Sequence, residues 1–155
     1  MSVLLLLFGL NTDRYAIDAR QVVEVLPLLR ITRVPQAPQG VAGMFNYRGA
    51  PVPVIDLAAL TLGRPSHASL STRLIVVRYD DEHGDTHLLG VIAEQATETM
   101  RRPCTDFVDS GVTLNEAPYL GPVTTDARGI IQLVEVSRLV PPPVRDVLFK
   151  QLAGH

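Results

Sequence analysis

Tryptophan is absent, cysteine occurs once, at Cys104, and aromatic residues make up 5% of the chain. A lone thiol cannot close an intramolecular disulfide, so no covalent staple holds this fold and a reducing compartment suits it. So few aromatics argue against a ligand pocket lined by stacked rings. An excess of one charge is missing too: 14 Lys and Arg face 16 Asp and Glu, a formal net charge of -2. With no basic stripe to neutralise phosphates, the chain does not read as a nucleic-acid binder. Long apolar runs are lacking. Val3 to Phe8 has no basic region before it and breaks at Gly9, Asn11 and Asp13. It is far shorter than the roughly 20 residues of a membrane span. It reads as a buried first strand, and with no export signal the protein is expected in the cytoplasm.

Signatures of catalysis are also missing. There is no nucleophile elbow, phosphate-binding loop or dinucleotide fingerprint. His83 and His87 lie four apart beside Asp80, Asp81 and Asp85, but Gly84 makes this a solvated turn rather than a helical metal site. Cys104 follows Arg101-Arg102-Pro103 without a histidine partner in sequence, and Asp106 and Asp109 read as loop residues. The expectation is a protein that is not an enzyme, with no metal and no cofactor.

What the chain does have is punctuation. Twelve prolines and eleven glycines divide 155 residues, 46% of them hydrophobic, into short apolar runs. That pattern predicts a mainly β fold in a single domain spanning 1–155. Strands are expected at Val3 to Leu10, Arg14 to Asp18, Met44 to Tyr47, Val52 to Asp56, Leu74 to Tyr79, Thr86 to Glu94, Tyr119 to Thr124 and Ile130 to Val134. Helical spacing marks Asp18 to Leu26, Asp56 to Leu62 with a terminating Gly63, and an amphipathic C-terminal helix over 141–155 after Pro141-Pro142-Pro143. Asp80 to Asp85 reads as a hairpin turn, Pro65 to Ser71 as an exposed linker and Asp109 to Ala117 as a polar loop.

A loose repeat relates 3–63 to 73–140. Tyr15-Ala16-Ile17, Glu24, Gly43, Arg48-Gly49, Val54-Ile55-Asp56-Leu57 and Leu60 match Leu89-Gly90-Val91, Glu98, Gly121, Arg128-Gly129, Leu133-Val134-Glu135-Val136 and Leu139. Two strand-rich halves suggest two small barrels, whose closure removes exposed sheet edges.

The segment from Val41 to Leu57, VAGMFNYRGAPVPVIDL, carries the most information. Asn46-Tyr47-Arg48-Gly49 reads as a tight turn. Pro51 and Pro53 cannot donate ladder hydrogen bonds, so they belong at an edge or a bulge. Arg48 can offer its planar fork to a carboxylate, with Glu24 as the expected partner, within the chain or across an interface. Such a pair either staples the turn or preorganises a docking surface.

This segment resembles the hallmark of the CheW family, in which glycine and an apolar pair lead into Asn-x-Arg-Gly and Val-Pro-Val-Ile-Asp-Leu. Tyr15 to Asp18, Val22 to Val25, Arg33-Val34-Pro35 with Pro38, Leu88 to Met100 and Tyr119 to Leu139 extend the resemblance over nearly the whole chain. Phe45, Tyr47, Ala50-Pro51 and Ile92 to Ala96 depart from it. The resemblance implies two five-stranded β-barrel subdomains. It also implies an adaptor joining the cytoplasmic tip of a chemoreceptor to the regulatory domain of a CheA-type histidine kinase, associated with membrane arrays only through these partners. On that pattern Val22, Glu24, Arg48, Gly90 and Val91 lie near a receptor groove, and Gly43, Met44 and Phe45 face the kinase. The same apolar residues also suit a core. The alternative function is a small-molecule sensor module holding its ligand in one barrel.

Overall fold

The structure is a computed structural model that describes residues 1–81, 83–109 and 117–140, together with Val144 and Phe149. Its strands are β1 (Ser2–Leu10), β2 (Asp13–Asp18), β3 (Val22–Pro27), β4 (Val41–Tyr47), β5 (Ala50–Asp56), β6 (Arg73–Asp80), β7 (Thr86–Ala93), β8 (Glu98–Pro103), β9 (Leu120–Asp126) and β10 (Gly129–Val134). A short α1 (Leu57–Leu62) follows β5, and single 3-10 turns occupy Ala19–Gln21, Cys104–Asp106 and Val136–Arg138. Among the described residues, no helix is long and apolar enough to cross a membrane. The helix expected over 141–155 lies outside the described residues, except that Val144 and Phe149 pack on the core.

The strands form two five-stranded sheets, β8-β1-β2-β10-β9 and β3-β6-β7-β5-β4. The two orders coincide when β1 to β5 are matched with β6 to β10. The second sheet is the contiguous run β3 to β7, inserted between β1–β2 and β8–β10 of the first, so neither sheet coincides with one half of the repeat. In each, one pair runs parallel: β10 with β2, and β5 with β7. A one-residue bridge adds a strap outside each sheet, Thr32 to Met44 in one and Val108 to Val123 in the other.

Each sheet curls into a barrel closed by side chains instead of ladder bonds. With strands about 4.8 Å apart, the edges of a flat five-stranded sheet would stand about 19 Å from one another. Yet Arg102 on β8 donates to the Thr125 carbonyl on β9 at 2.9 Å. Across the other seam the Tyr47 hydroxyl on β4 donates to Glu24 on β3 at 2.7 Å.

The core has three parts. Leu5, Leu7, Ala16 and Ile131 fill the first barrel, and Phe45, Tyr47, Val52, Val54, Leu74, Val76 and Ile92 fill the second. Between the barrels lies a larger layer that includes Leu6, Phe8, Leu10, Ile17, Ile75, Val77 and Tyr79. Successive residues of a strand face opposite sides. On β1, Leu5 and Leu7 therefore enter a barrel while Leu6, Phe8 and Leu10 enter the layer between. A strand buried on both faces explains the unbroken leucine run. Each such side chain contributes about 1.5–3 kcal/mol by leaving water.

One local expectation fails. Asp18 to Leu26 is not a helix: Asp18 caps only the turn Ala19–Gln21, accepting from the Arg20 N–H, and β3 follows. Val22, Glu24 and Leu26 are half-buried while Val23, Val25 and Pro27 are exposed, the period of a strand. The linker from Pro65 to Ser71 is largely exposed, as expected, and its first residues are tied down. Buried Asp56 accepts from the Ser66 N–H and hydroxyl, and buried Glu94 accepts from the His67 N–H and both arms of the Arg64 fork. The Arg64 hydrogen bonds hold the Glu94 carboxyl below its usual range despite burial. Asp56 also caps α1, which ends at Gly63 in the left-handed conformation.

Candidate docking surfaces

The turn after β4 is built as its residues require. Arg48 and Gly49 have φ of 52° and 87°, the two positive values a type I′ turn needs. The Gly49 N–H donates to the Asn46 side-chain oxygen at 2.8 Å. The β5 prolines sit where no donor is wanted: Pro51 and Pro53 pair only with β4, and the parallel pairing with β7 begins at Val54.

This turn meets the edge strand β3. Arg48 donates to Glu24 at 3.1 Å, the expected pair, formed within the chain. The same Glu24 oxygen takes the Tyr47 hydroxyl, and the Arg48 guanidinium lies 5.1 Å from the Tyr47 ring centre. The Arg48 side chain is 76% exposed, so the arrangement holds a cation outward on a fixed base. Tyr47 is the member that sequence reasoning missed; only its place inside the tight turn signalled it.

Beside this cluster β3 exposes valines. Val25 lies opposite Ile75, a residue of the layer between the barrels, so it projects from β3 on the side of that layer. Val25 and Val23 remain 42% and 37% exposed, and Val22 packs against the layer. These exposed valines were hidden by the helical reading of β3. Their alternation with Glu24 was the available signal.

The other expected groove residues are internal. Val91 has no exposed surface, and buried Gly90 stands against Phe45, Leu74 and Val54, so both pack inside the fold.

Of the three residues expected to face the kinase, only Met44 is partly open. Phe45 is buried in the second barrel. Gly43 has φ of 143°, and a Cβ there would collide with the Thr32 carbonyl oxygen on the strap. Gly43 is therefore structural, since only glycine lets the strap bridge Met44. Met44 and Phe45 nevertheless join Thr32, Asn46, Gly49 and Pro51 in lining a shallow depression of about 310 Å³.

Comparison with known proteins bears on both surfaces. The family of CheW-like domains matches residues 4–142. A Helicobacter pylori protein named Chemotaxis protein CheW is 30% identical over 109 residues, covering 70% of this chain and 63% of that protein. A Klebsiella aerogenes protein of the same name is 28% identical over 141 residues, covering 87% and 80%. The crystal structure of the scaffolding protein TtCheW from Thermoanaerobacter tengcongensis superposes with a TM-score of 0.77 at 22% identity, covering 91% of this chain and 89% of that one.

Proposed function

The chain belongs to the family of CheW-like domains, and from that premise we propose that it is a non-enzymatic scaffold of a chemosensory system. It couples the cytoplasmic tip of a chemoreceptor to the regulatory domain of a CheA-type histidine kinase, working in the cytoplasm within an array of these partners. The observation that carries this reading is a family match running through both barrels, over 4–142. The names of the H. pylori and K. aerogenes relatives point the same way.

The surfaces fit a bivalent adaptor. A helical receptor tip lies along the groove beside Val22, Val23 and Val25, with Glu24 and Arg48 setting its register by charge. The kinase domain docks on the depression around Met44. Neither interface need be strong, because one rigid body holding both partners raises their effective concentration. A sensor barrel is less suited, since each interior is filled by its own side chains.

The test mixes the purified chain with a kinase regulatory domain and a receptor-tip fragment encoded by the same genome, with binding measured by calorimetry. Arg48→Glu is expected to weaken the receptor interaction alone, and Met44→Arg the kinase interaction alone. Failure of the unaltered chain to bind either partner would sink the proposal.

A further inference from the structure

The two parallel strand pairs end in matching crevices. In the second sheet β5 and β7 run side by side, with Val54 opposite Gly90; in the first, β10 and β2 do so, with Leu133 opposite Ala16. Beyond each pair the chains diverge into turns, and a gap opens at the carboxyl ends of the strands.

In the second sheet this gap is filled. Residues 64–67 run through it in no regular structure, between Asp56 at the end of β5 and Glu94 just past β7. Their contacts set out the recognition chemistry. Asp56 takes the Ser66 N–H at 2.8 Å and the Ser66 hydroxyl at 2.6 Å. Glu94 takes the His67 N–H at 2.6 Å and the Arg64 fork at 3.0 and 3.1 Å. Two carboxylates thus hold an extended segment by its backbone N–H groups, one hydroxyl and one arginine.

In the first sheet none of the described residues runs through the gap. A crevice of about 440 Å³ is lined by Asp18, Arg20 and Gln21 at and after the end of β2 and by Leu133, Val134, Glu135 and Ser137 at and after the end of β10. It again carries two carboxylates, and among the described residues each pairs with an arginine close to it in sequence. Asp18 holds Arg20 at 2.7 Å and Glu135 holds Arg138 at 3.3 Å. The arginines are 77% and 65% exposed, and ion pairs of that kind part cheaply.

We propose that this crevice docks an extended segment of a partner protein, one that brings backbone N–H groups and an arginine to Asp18 and Glu135 in place of Arg20 and Arg138. The inference rests on the filled crevice of the second sheet and is independent of receptor and kinase coupling.

The probe is a synthetic peptide of residues 63–68, Gly-Arg-Pro-Ser-His-Ala, titrated into the full-length isotope-labelled chain and followed by NMR. Shifts are expected at Asp18 to Gln21 and Leu133 to Ser137. They should spare Asp56 and Glu94, whose own segment competes intramolecularly at high effective concentration. Glu135→Gln keeps the side chain's shape, and loss of its charge should weaken binding about tenfold. Ser137→Trp should fill the crevice and abolish the shifts while the remaining spectrum stays native. The proposal is overturned if no shifts arise at millimolar peptide, if they appear only at Asp56 and Glu94, or if Glu135→Gln binds as well as the unaltered chain. Shifts at these positions that grow with protein concentration in the absence of peptide would assign the crevice to a second copy and overturn it as well.

Discussion

Where the second barrel buries Phe45 against Gly90, the first has Thr124 and Ala16 at the matching positions. One barrel is packed by a ring. The other spends a buried position on a hydroxyl that has no hydrogen-bond partner among the described residues. The same strand order therefore tolerates quite different fillings, and the better-packed barrel is the one whose turn and edge carry the candidate docking residues. A rigid interior beneath Tyr47 and Arg48 keeps their geometry fixed. The sharpest break of this comparison is Phe45→Ala, which should lower the unfolding free energy by about 3–5 kcal/mol in denaturant titrations. Thr124→Val should leave it unchanged or raise it by about 1 kcal/mol, because an unpaired buried hydroxyl is removed. Equal losses at both sites would show that the barrels do not differ in packing.

The matched glycines give the next largest contrast. At Gly43 a Cβ meets strap backbone, which cannot move without breaking the bridge to Met44. At Gly121 it meets the Glu135 side chain, which can swing away. Gly43→Ala should cost about 3 kcal/mol, from strain at positive φ together with the clash. Gly121→Ala should cost less than about 1 kcal/mol. Hydrogen exchange at the Thr32 and Met44 amides reads the first effect directly, and unchanged protection there would refute the strap's dependence on glycine.

These contrasts also show what the sequence made legible. Eight of the ten strands coincide with its apolar runs, because strands buried on one or both faces must be apolar there. β8 escaped notice because, of its residues Glu98–Pro103, only Met100 packs on a core. β3 reads as a helix in sequence because Val22, Val23 and Leu26 fit either period, and a capping aspartate precedes them. The Arg48–Glu24 pair was legible from a local turn that presents a fork. The roles of Gly90, Val91 and Phe45 were not, since apolar residues in a motif read alike whether they touch a partner or a neighbour. The buried pair Asp56 and Glu94 was equally hidden, its partners lying 10 to 30 residues away in a segment that reads as an exposed linker.

Acid distinguishes the two hairpin turns. In the first barrel Asp126 closes the turn after β9: it accepts from the Arg128 N–H and forms a forked ion pair with Arg14. The Arg14 hydrogen bonds hold its carboxyl far below the usual carboxylate range. Asn46 stands in the matching turn of the second barrel and carries no charge. A depressed carboxyl pKa contributes stability that is present above the unfolded value, about 4, and is lost as pH falls through the folded value. Amides of Arg128 and Gly129 should therefore lose protection as pH drops below about 4, while Gly49 keeps its own. Asp126→Asn should flatten that pH dependence. If both turns open together, Asp126 is not what sets the difference.

The smallest expected effect concerns the ion pairs at the two seams. Arg48–Glu24 spans 3.1 Å and Arg128–Glu98 spans 3.8 Å, with both partners of the second well exposed. Exposed pairs contribute about 0–1 kcal/mol, and the Arg128–Glu98 pair belongs at the bottom of that range. The Arg48 pair differs because Tyr47 anchors Glu24 from below, so less rotamer freedom is lost when the arginine engages. A double-mutant cycle on Arg48→Ala and Glu24→Gln should give a coupling of about 0.5–1 kcal/mol, falling toward zero in the Tyr47→Phe background. The same cycle on Arg128 and Glu98 should give a coupling near zero throughout. If Tyr47→Phe left the Arg48–Glu24 coupling intact, the tyrosine would be a packing residue whose hydroxyl happens to lie within reach. The outward cation would then owe its position to the turn alone.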